Sequence, residues 1–485
     1  MTIMELGRKQ LLIDGEWRDA AGGKTMPVVN PATEEVIAEV ASAGKDDVNA
    51  AVSAARAALS GPWGRMSARE RGRLLWKLGD RVTEHIDHIA RLETLHNGKP
   101  ITESRHIEVP MAVECLQYYA GWADKIHGET VPVKGNAFVY TQREPLGVVA
   151  AIVPWNFPLL IAMWKVAPAL ATGNTVILKP ASQTPLTALA LGELAREVGF
   201  PRGVLNVVTG SGPTTGQALV EHPGIDKIAF TGDTSTGRGI MRASAETLKH
   251  ITLELGGKSP NIVFPDADLD AAVRGVTVGI FYGKGEVCAA GSRLLVDKSI
   301  KDQFLSRVAE RTKKMVPGDP LDPKTRLGAI ASKGQLERVL RYVDVAKREG
   351  ATLVAGGSRA DIGTGKGYFM QPTVFTDVRP EMTIAREEIF GPVLAAIEFA
   401  DVDDAIARAN DSPYGLAAGI WTRDVKRAHY VASKLKAGTV WVNTYNVYDT
   451  AAAFGGYKQS GFGRDMSVHA LDAYTQVKTV WVDLG

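Results

Sequence analysis

Val148-Val149-Ala150-Ala151-Ile152-Val153 runs directly into Pro154-Trp155-Asn156-Phe157-Pro158. Six apolar residues without alternation read as a strand buried on both faces, which requires helices on either side of a parallel sheet. Downstream the texture repeats. The spacing predicts helices over Leu159 to Ala171, Pro185 to Val198, Thr214 to His222 and Ser235 to Ser244. Between them lie predicted strands Thr175 to Leu178, Leu205 to Val208, Lys227 to Phe230 and Ile251 to Leu255. Strands alternating with helices of this length imply a doubly wound α/β unit.

Upstream, Leu11 to Ala20 alternates around Asp14-Gly15, a hairpin signal. Lys45 to Leu59 is Ala-rich with helical spacing, Ser67 to His106 reads as two amphipathic helices, and Ile107 to Trp122 as a third. Val131 to Arg143 alternates and suits exposed hairpin strands. A second α/β series follows the first, with strands at Ile262 to Phe264, Arg293 to Val296 and Gly438 to Asn443. Its helices are Ile300 to Lys314, Lys333 to Arg348, Asp403 to Asn410 and Arg423 to Leu435. The β-branched end, Val477 to Val482, needs a partner sheet.

Composition narrows the function. The 485 residues are enough for about three structural units. Lys plus Arg number 56 against 54 Asp plus Glu, a net charge of +2, which disfavours a nucleic-acid scaffold. Two cysteines, Cys115 and Cys288, exclude a disulfide framework or a Cys-rich metal site and fit a reducing compartment. Met1 to Gln10 lacks a signal-peptide apolar core. The best membrane-span candidate, Val148 to Leu170, carries Lys165 and three prolines. The expectation is a soluble cytoplasmic protein with no metal, nucleic-acid or membrane partner.

Ligands of open parallel sheets sit at the carboxyl ends of the strands. Gly210-Ser211-Gly212-Pro213-Thr214-Thr215-Gly216 and Thr231-Gly232-Asp233-Thr234-Ser235-Thr236-Gly237 fall there, and each alone is a weak signal that simple helix capping explains as well. Arg238 follows the second turn where a nucleotide P-loop needs Lys, which disfavours ATP hydrolysis. Lys179 closes a strand and can reach a ribose or phosphate, or remain a solvated charge. Cys115 sits on a helix and reads as core, whereas Cys288 lies in a Gly-flanked stretch suited to reactivity. Glu254, inside an apolar strand before Gly256-Gly257, is either a buried ion-pair member or a general base of raised pKa. Asn156, between Trp155 and Phe157, is a turn residue or an oxyanion donor. Glu387-Glu388 reads as a solvated loop, a glycosidase-like pair, or a holder of ribose hydroxyls.

Taken in order over essentially the whole chain, these segments resemble the NAD(P)-dependent aldehyde dehydrogenase superfamily. The resemblance rests on Pro154 to Pro158, Lys179-Pro180-Ala181, Phe230-Thr231-Gly232 and Glu254-Leu255-Gly256-Gly257-Lys258. Gly285-Glu286-Val287-Cys288, Glu388-Ile389-Phe390-Gly391-Pro392 and Phe454-Gly455-Gly456-Tyr457-Lys458 complete it. It implies that Cys288 is the nucleophile, attacking an aldehyde to give a thiohemiacetal and then a thioester. The Asn156 side chain and the Cys288 backbone N–H are the implied oxyanion hole, and Glu254 the base that activates water. Lys165 and Asp465 match positions of a proton path in some members. Lys179 falls on the adenosine ribose, and Gly212, Gly216 and Gly232 along the adenosine and pyrophosphate, with Trp155 nearby. Glu388 is on the nicotinamide ribose and Phe390 beside the ring. Ile152, Asn156, Ser182, Phe230, Thr231, Asp233, Thr236, Glu254 and Gly256 complete the implied cofactor contacts. Phe157, Trp164, Tyr282 and Tyr448 fall where members line a substrate tunnel, favouring aliphatic or aromatic aldehydes.

The implied fold has a Rossmann-like cofactor domain (1–123, 145–256 and 459–471), a related catalytic domain (257–458) and an oligomerisation β-flap (124–144 with 472–485). The flap implies a homodimer or homotetramer. Three residues depart from the family pattern. Glu286 replaces a frequent Gln, and a carboxylate facing the thiol would raise its pKa, so Glu286 is expected to point away or pair with Lys284. Asp233 replaces a frequent Ser and is expected to cap its helix. Ser182 stands where NAD-preferring members carry Glu, and it gives no repulsion of a 2′-phosphate, so NADP is admitted beside NAD. The competing readings are a cofactor-independent thiol esterase using Cys288 and Glu254, a non-catalytic nucleotide-binding protein, and a CoA-acylating enzyme. The esterase leaves Lys179, the Gly turns and Glu388 unexplained, and Glu254 argues against CoA.

Overall fold

The computed structural model describes residues 6–485, so the N-terminal reading on Met1 to Glu5 lies outside the described residues. Val148–Ile152 is wholly buried and central. It pairs in parallel with Thr175–Lys179 on one side and Lys227–Thr231 on the other. Leu205–Val207 and His250–Glu254 extend the parallel set outward. The chain therefore runs from Val148 to one edge, returns, and continues to the other. The reversal lies between Ile152 and Thr231, the switch point where such sheets bind ligands. The Leu11–Ile13/Glu16–Arg18 hairpin closes one edge antiparallel, and Gly461–Phe462 the other.

Helix Pro158–Ala171 is buried at every one of its residues. That explains its apolar run, and among the described residues no helix is long and apolar enough to cross a membrane. The predicted helix over Thr214 to His222 is instead a wide turn, Gly212–Gly216, followed by a short helix, Gln217–Glu221. Pro213 supplies no N–H for regular helical bonding, and Ser211 caps the turn by accepting from the Thr214 N–H.

A second sheet of seven strands carries six parallel ones, from Thr373–Thr376 through Val393–Phe399, Arg293–Asp297, Pro260–Val263 and Ala417–Trp421 to Thr439–Val442. Thr352–Ala355 is its antiparallel edge. The segment Val131 to Arg143 is not a hairpin of two full strands. Only Ala137–Pro145 is a strand, Thr130 touches it by one bridge at Tyr140, and its long partner is Thr475–Asp483. The β-rich C-terminus thus finds its pairing in the strand that directly precedes the central strand of the first sheet.

Candidate functional site

The site forms where the first sheet's switch point meets the loop before Arg293–Asp297. Pro154, Trp155, Asn156, Thr231, Gly232, Asp233, Leu255 and Gly256 contribute one wall of a cavity of about 670 Å³. Cys288, Gln335, Arg338, Glu388 and Phe390 contribute the other. A second, apolar cavity of about 720 Å³ is lined by Phe157, Leu160, Trp164, Tyr282, Val287, Tyr448 and Phe454, among others. Phe157 and Tyr282 stack at 6.2 Å within it. Cys288 belongs to both walls. One face of the thiol therefore looks into a polar cleft at strand ends and the other into an aromatic tunnel.

Burial, followed by the carboxylates Glu388 and Glu254, pushes the Cys288 thiol up to about 12. Glu254 closes the strand His250–Glu254, and neither of its buried carboxylate oxygens has a hydrogen-bond partner. Burial, then Asp465, raises its pKa well above the usual carboxylate range against the pull of Lys165 and Arg464. The ion pair that a buried glutamate invites is not made by Glu254 itself. Lys165 pairs with Asp465 at 2.8 Å, both nearly inaccessible. Cys115 is buried in helix Val109–Trp122, with its thiol donating to the Met163 carbonyl at 3.5 Å.

Glu388 is held by a close backbone approach. Its Oε1 accepts from the Gly257 N–H at 2.9 Å, and a Cβ on Gly256 would lie 2.1 Å from Oε2 and force the carboxylate to move. Burial raises the Glu388 pKa to about 7. Phe390 adopts φ +60°, a left-handed conformation that costs an aromatic residue of order 1 kcal/mol and recurs at binding sites. Asp233 accepts from the Ser235 and Thr236 N–H groups as the helix N-cap while lining the cavity. The Lys284 ammonium lies 3.0 Å from the Glu286 carboxylate, and Glu286 is in the lining of neither cavity that Cys288 shares.

Other sequence-named residues lie outside the first cavity's wall. Lys179 is buried next to Gly216, its ammonium donating to the Pro180 carbonyl, and burial lowers its pKa to about 8. Ile152 stands in register with Lys179 and Phe230, and the Phe230 ring folds over Gly232. Ser182 is half-buried beside Gln183, Gly212 opens the wide turn, and Thr236 sits one turn inside its helix. Gln335 and Arg338, one turn apart on helix Lys333–Arg348, were not legible as site residues. Gln335 donates to the Phe390 carbonyl and Arg338 to that of Glu388, while the Arg338 Nε is buried without a partner. Their only sequence signal was polar i, i+3 spacing, which most surface helices share.

The aldehyde dehydrogenase family profile matches residues 17–480. The chain belongs to the aldehyde dehydrogenase family. It is 51% identical over 476 residues to human mitochondrial aldehyde dehydrogenase, covering 98% of this chain and 92% of that one. It is 48% identical over 485 residues to mouse retinal dehydrogenase 2, covering 99% and 93%. Among solved structures, the NAD+ complex of a Bacillus cereus aldehyde dehydrogenase superposes with a TM-score of 0.97 at 51% identity, covering 99% of this chain and 97% of that one. For an aldehyde dehydrogenase, a cysteine shared by a polar cleft and an aromatic tunnel is the feature around which the reaction has to be built.

Proposed function

We propose that the protein oxidises an apolar aliphatic or aromatic aldehyde to the free carboxylic acid with Cys288 as nucleophile. The observation that carries the reading is that Cys288 is common to both cavities. The cleft fits NAD. It offers a buried carboxylate with one oxygen uncommitted to Gly257, and orphaned polar atoms at Arg338 Nε and Thr231 Oγ1, groups suited to ribose hydroxyls and pyrophosphate. Bound there, NAD supplies the hydride acceptor.

The chain's own residues do the rest. The aromatic tunnel excludes water and presents the aldehyde carbon to Cys288. The thiolate adds, giving a thiohemiacetal whose oxyanion receives hydrogen bonds from the Asn156 side chain and the Cys288 backbone N–H. After oxidation to the thioester, Glu254 takes a proton from water as it attacks, releasing the acid. Glu254 then passes the proton toward the Lys165–Asp465 pair, which is placed to hold it. A cofactor-independent thiol esterase leaves the polar cleft without a purpose. The test is nucleotide reduction across an aldehyde panel, from acetaldehyde to long aliphatic and benzylic members. Turnover with none, in folded protein, sinks the reading.

Three finer readings belong with it. Ser182, beside the buried Lys179, leaves the cofactor's ribose end free of negative charge and admits NADP. Ser182→Glu is expected to lower the NADP-to-NAD ratio of kcat/KM at least about tenfold through charge repulsion; an unchanged ratio removes Ser182 from the cofactor site. The chain divides into cofactor, catalytic and flap units built on the eight-stranded sheet, the seven-stranded sheet and the Ala137–Pro145/Thr475–Asp483 pair, and it works in the cytoplasm as a homodimer or homotetramer. Val477 and Trp481 on the flap are 60% and 63% exposed, an apolar face suited to a second copy. Val477→Lys with Trp481→Lys is expected to yield monomers by light scattering, and an unaltered mass in folded protein places the interface elsewhere.

A further inference from the structure

Behind Cys288 lies a polar ring that the reaction scheme does not use. Gly283, Lys284 and Gly285 adopt φ of +56°, +63° and +71°, three consecutive left-handed residues. Glycine takes this conformation freely, whereas a lysine is strained in it. Here the strained residue is also wholly buried. Its ammonium donates to the Asn97 carbonyl at 2.9 Å and to the Asn97 Oδ1 at 2.6 Å, and forms an ion pair with Glu286 Oε2 at 3.0 Å.

Those acceptors close a circuit. The Asn97 Nδ2 donates to the Trp155 carbonyl at 2.7 Å, which ties Lys284 to the Trp155–Phe157 turn. The Glu286 backbone carbonyl accepts from the Asn156 Nδ2 at 2.9 Å, which ties that turn back to the Cys288 loop. Glu286 Oε1 is fixed by the Ala331 N–H at 3.1 Å. One Asn156 amide hydrogen is therefore spent on the ring, and the other remains free in the cavity wall shared with Cys288.

We propose that Lys284 is a positioning residue, which aims the Asn156 amide by locking the Cys288 loop onto the Trp155–Phe157 turn through Asn97 and Glu286. The inference rests on the reading of Asn156 as an oxyanion donor. Without the ammonium, Glu286 becomes a lone buried carboxylate and both Asn97 oxygens lose a donor, so the ring reopens by moving one loop. A misplaced amide weakens the transition state and leaves substrate and nucleotide binding intact. An ion pair serving stability alone has no reason to act through Asn156.

A double-mutant cycle separates the two. Full-length Lys284→Met, Asn156→Ala and the combined variant are compared with wild type for kcat, KM and NAD affinity. Asn156→Ala is expected to lower kcat about 10²- to 10³-fold. Lys284→Met is expected to lower kcat at least about tenfold with NAD affinity unchanged, and to cost less than about twofold more in the Asn156→Ala background. Full additivity, or a wild-type kcat in Lys284→Met, overturns the positioning role while leaving the oxyanion reading standing. A wild-type kcat in Asn156→Ala overturns both. Should Lys284→Met not fold, Lys284→Gln with Glu286→Gln removes the charges as a pair. The glutamine is too short to span Asn97 and Glu286 together, so the same loss and the same non-additivity are expected, and a wild-type kcat again overturns the proposal.

Discussion

Cys288→Ala is expected to abolish aldehyde oxidation, by about 10⁴-fold or more in kcat, while NAD still binds. The loss is large because no other thiol can substitute. Cys115 is the only other cysteine in the chain, and it is sealed inside helix Val109–Trp122 against Met163. The nucleotide cleft keeps every other wall residue, so binding survives. Ester cleavage should vanish with oxidation, since both begin with the same attack. Cys115→Ala is the control; it is expected to cost about 1 kcal/mol of stability and leave kcat alone. The pH dependence follows from the same site. The thiol sits near 12, so it is protonated at neutral pH and must lose its proton to attack. The rate must therefore rise with pH rather than fall. Below the group's value, kcat/KM in the wild type should climb toward tenfold per pH unit between about pH 6 and about pH 9. More than a few per cent of wild-type turnover in Cys288→Ala, or a rate falling with pH over that range, contradicts the nucleophile assignment.

Much of this is readable in the amino-acid sequence itself. Val148 to Val153 named the central strand because only a doubly covered position tolerates six apolar residues in a row, and the structure buries all of Val148–Ile152. The hairpin at Asp14-Gly15 and helix Lys333–Arg348 were equally legible, because turn chemistry and 3.6-residue spacing are local. What failed depended on distant partners. Nothing near Val131 itself says that its neighbour strand pairs with Thr475–Asp483, more than three hundred residues later, and only the family resemblance joined 124–144 with 472–485. Strand Ala417–Trp421 escaped notice because Ala417-Ala418-Gly419 lacks the β-branched signature, and its packing decides its state. At the site, Cys288 and Glu254 carried chemistry in their type, and type survives in a sequence. Gln335 and Arg338 carry it only by position, since a helix from the second sheet unit places them across the cleft from Thr231 and Gly232.

The same contrast of type and position governs the second large effect. Glu254→Gln keeps the shape of the side chain and removes the base. Both oxygens of the native carboxylate are buried without partners, so the amide displaces no existing hydrogen bond, and a change in rate reports chemistry rather than refolding. If Glu254 activates water, attack on the aldehyde and the subsequent oxidation proceed normally, and the thioester waits. The first turnover should then appear as a burst of reduced nucleotide stoichiometric with active sites, followed by a steady state about 10²- to 10⁴-fold slower than wild type. Mass spectrometry of the quenched protein should find an acyl group on the peptide holding Cys288. If Glu254 instead takes the thiol proton, the first turnover slows as much as the later ones, and no acyl group accumulates. The two roles are told apart by the burst alone. The position of Lys165 and Asp465 favours the burst. A proton received from water must leave Glu254 before the next cycle, and their ion pair, 2.8 Å long and out of solvent, is a charged relay whose two members both act on Glu254. Wild-type steady-state turnover in Glu254→Gln is the outcome that removes Glu254 from the chemistry and leaves its buried, unpartnered carboxylate to be explained by folding alone.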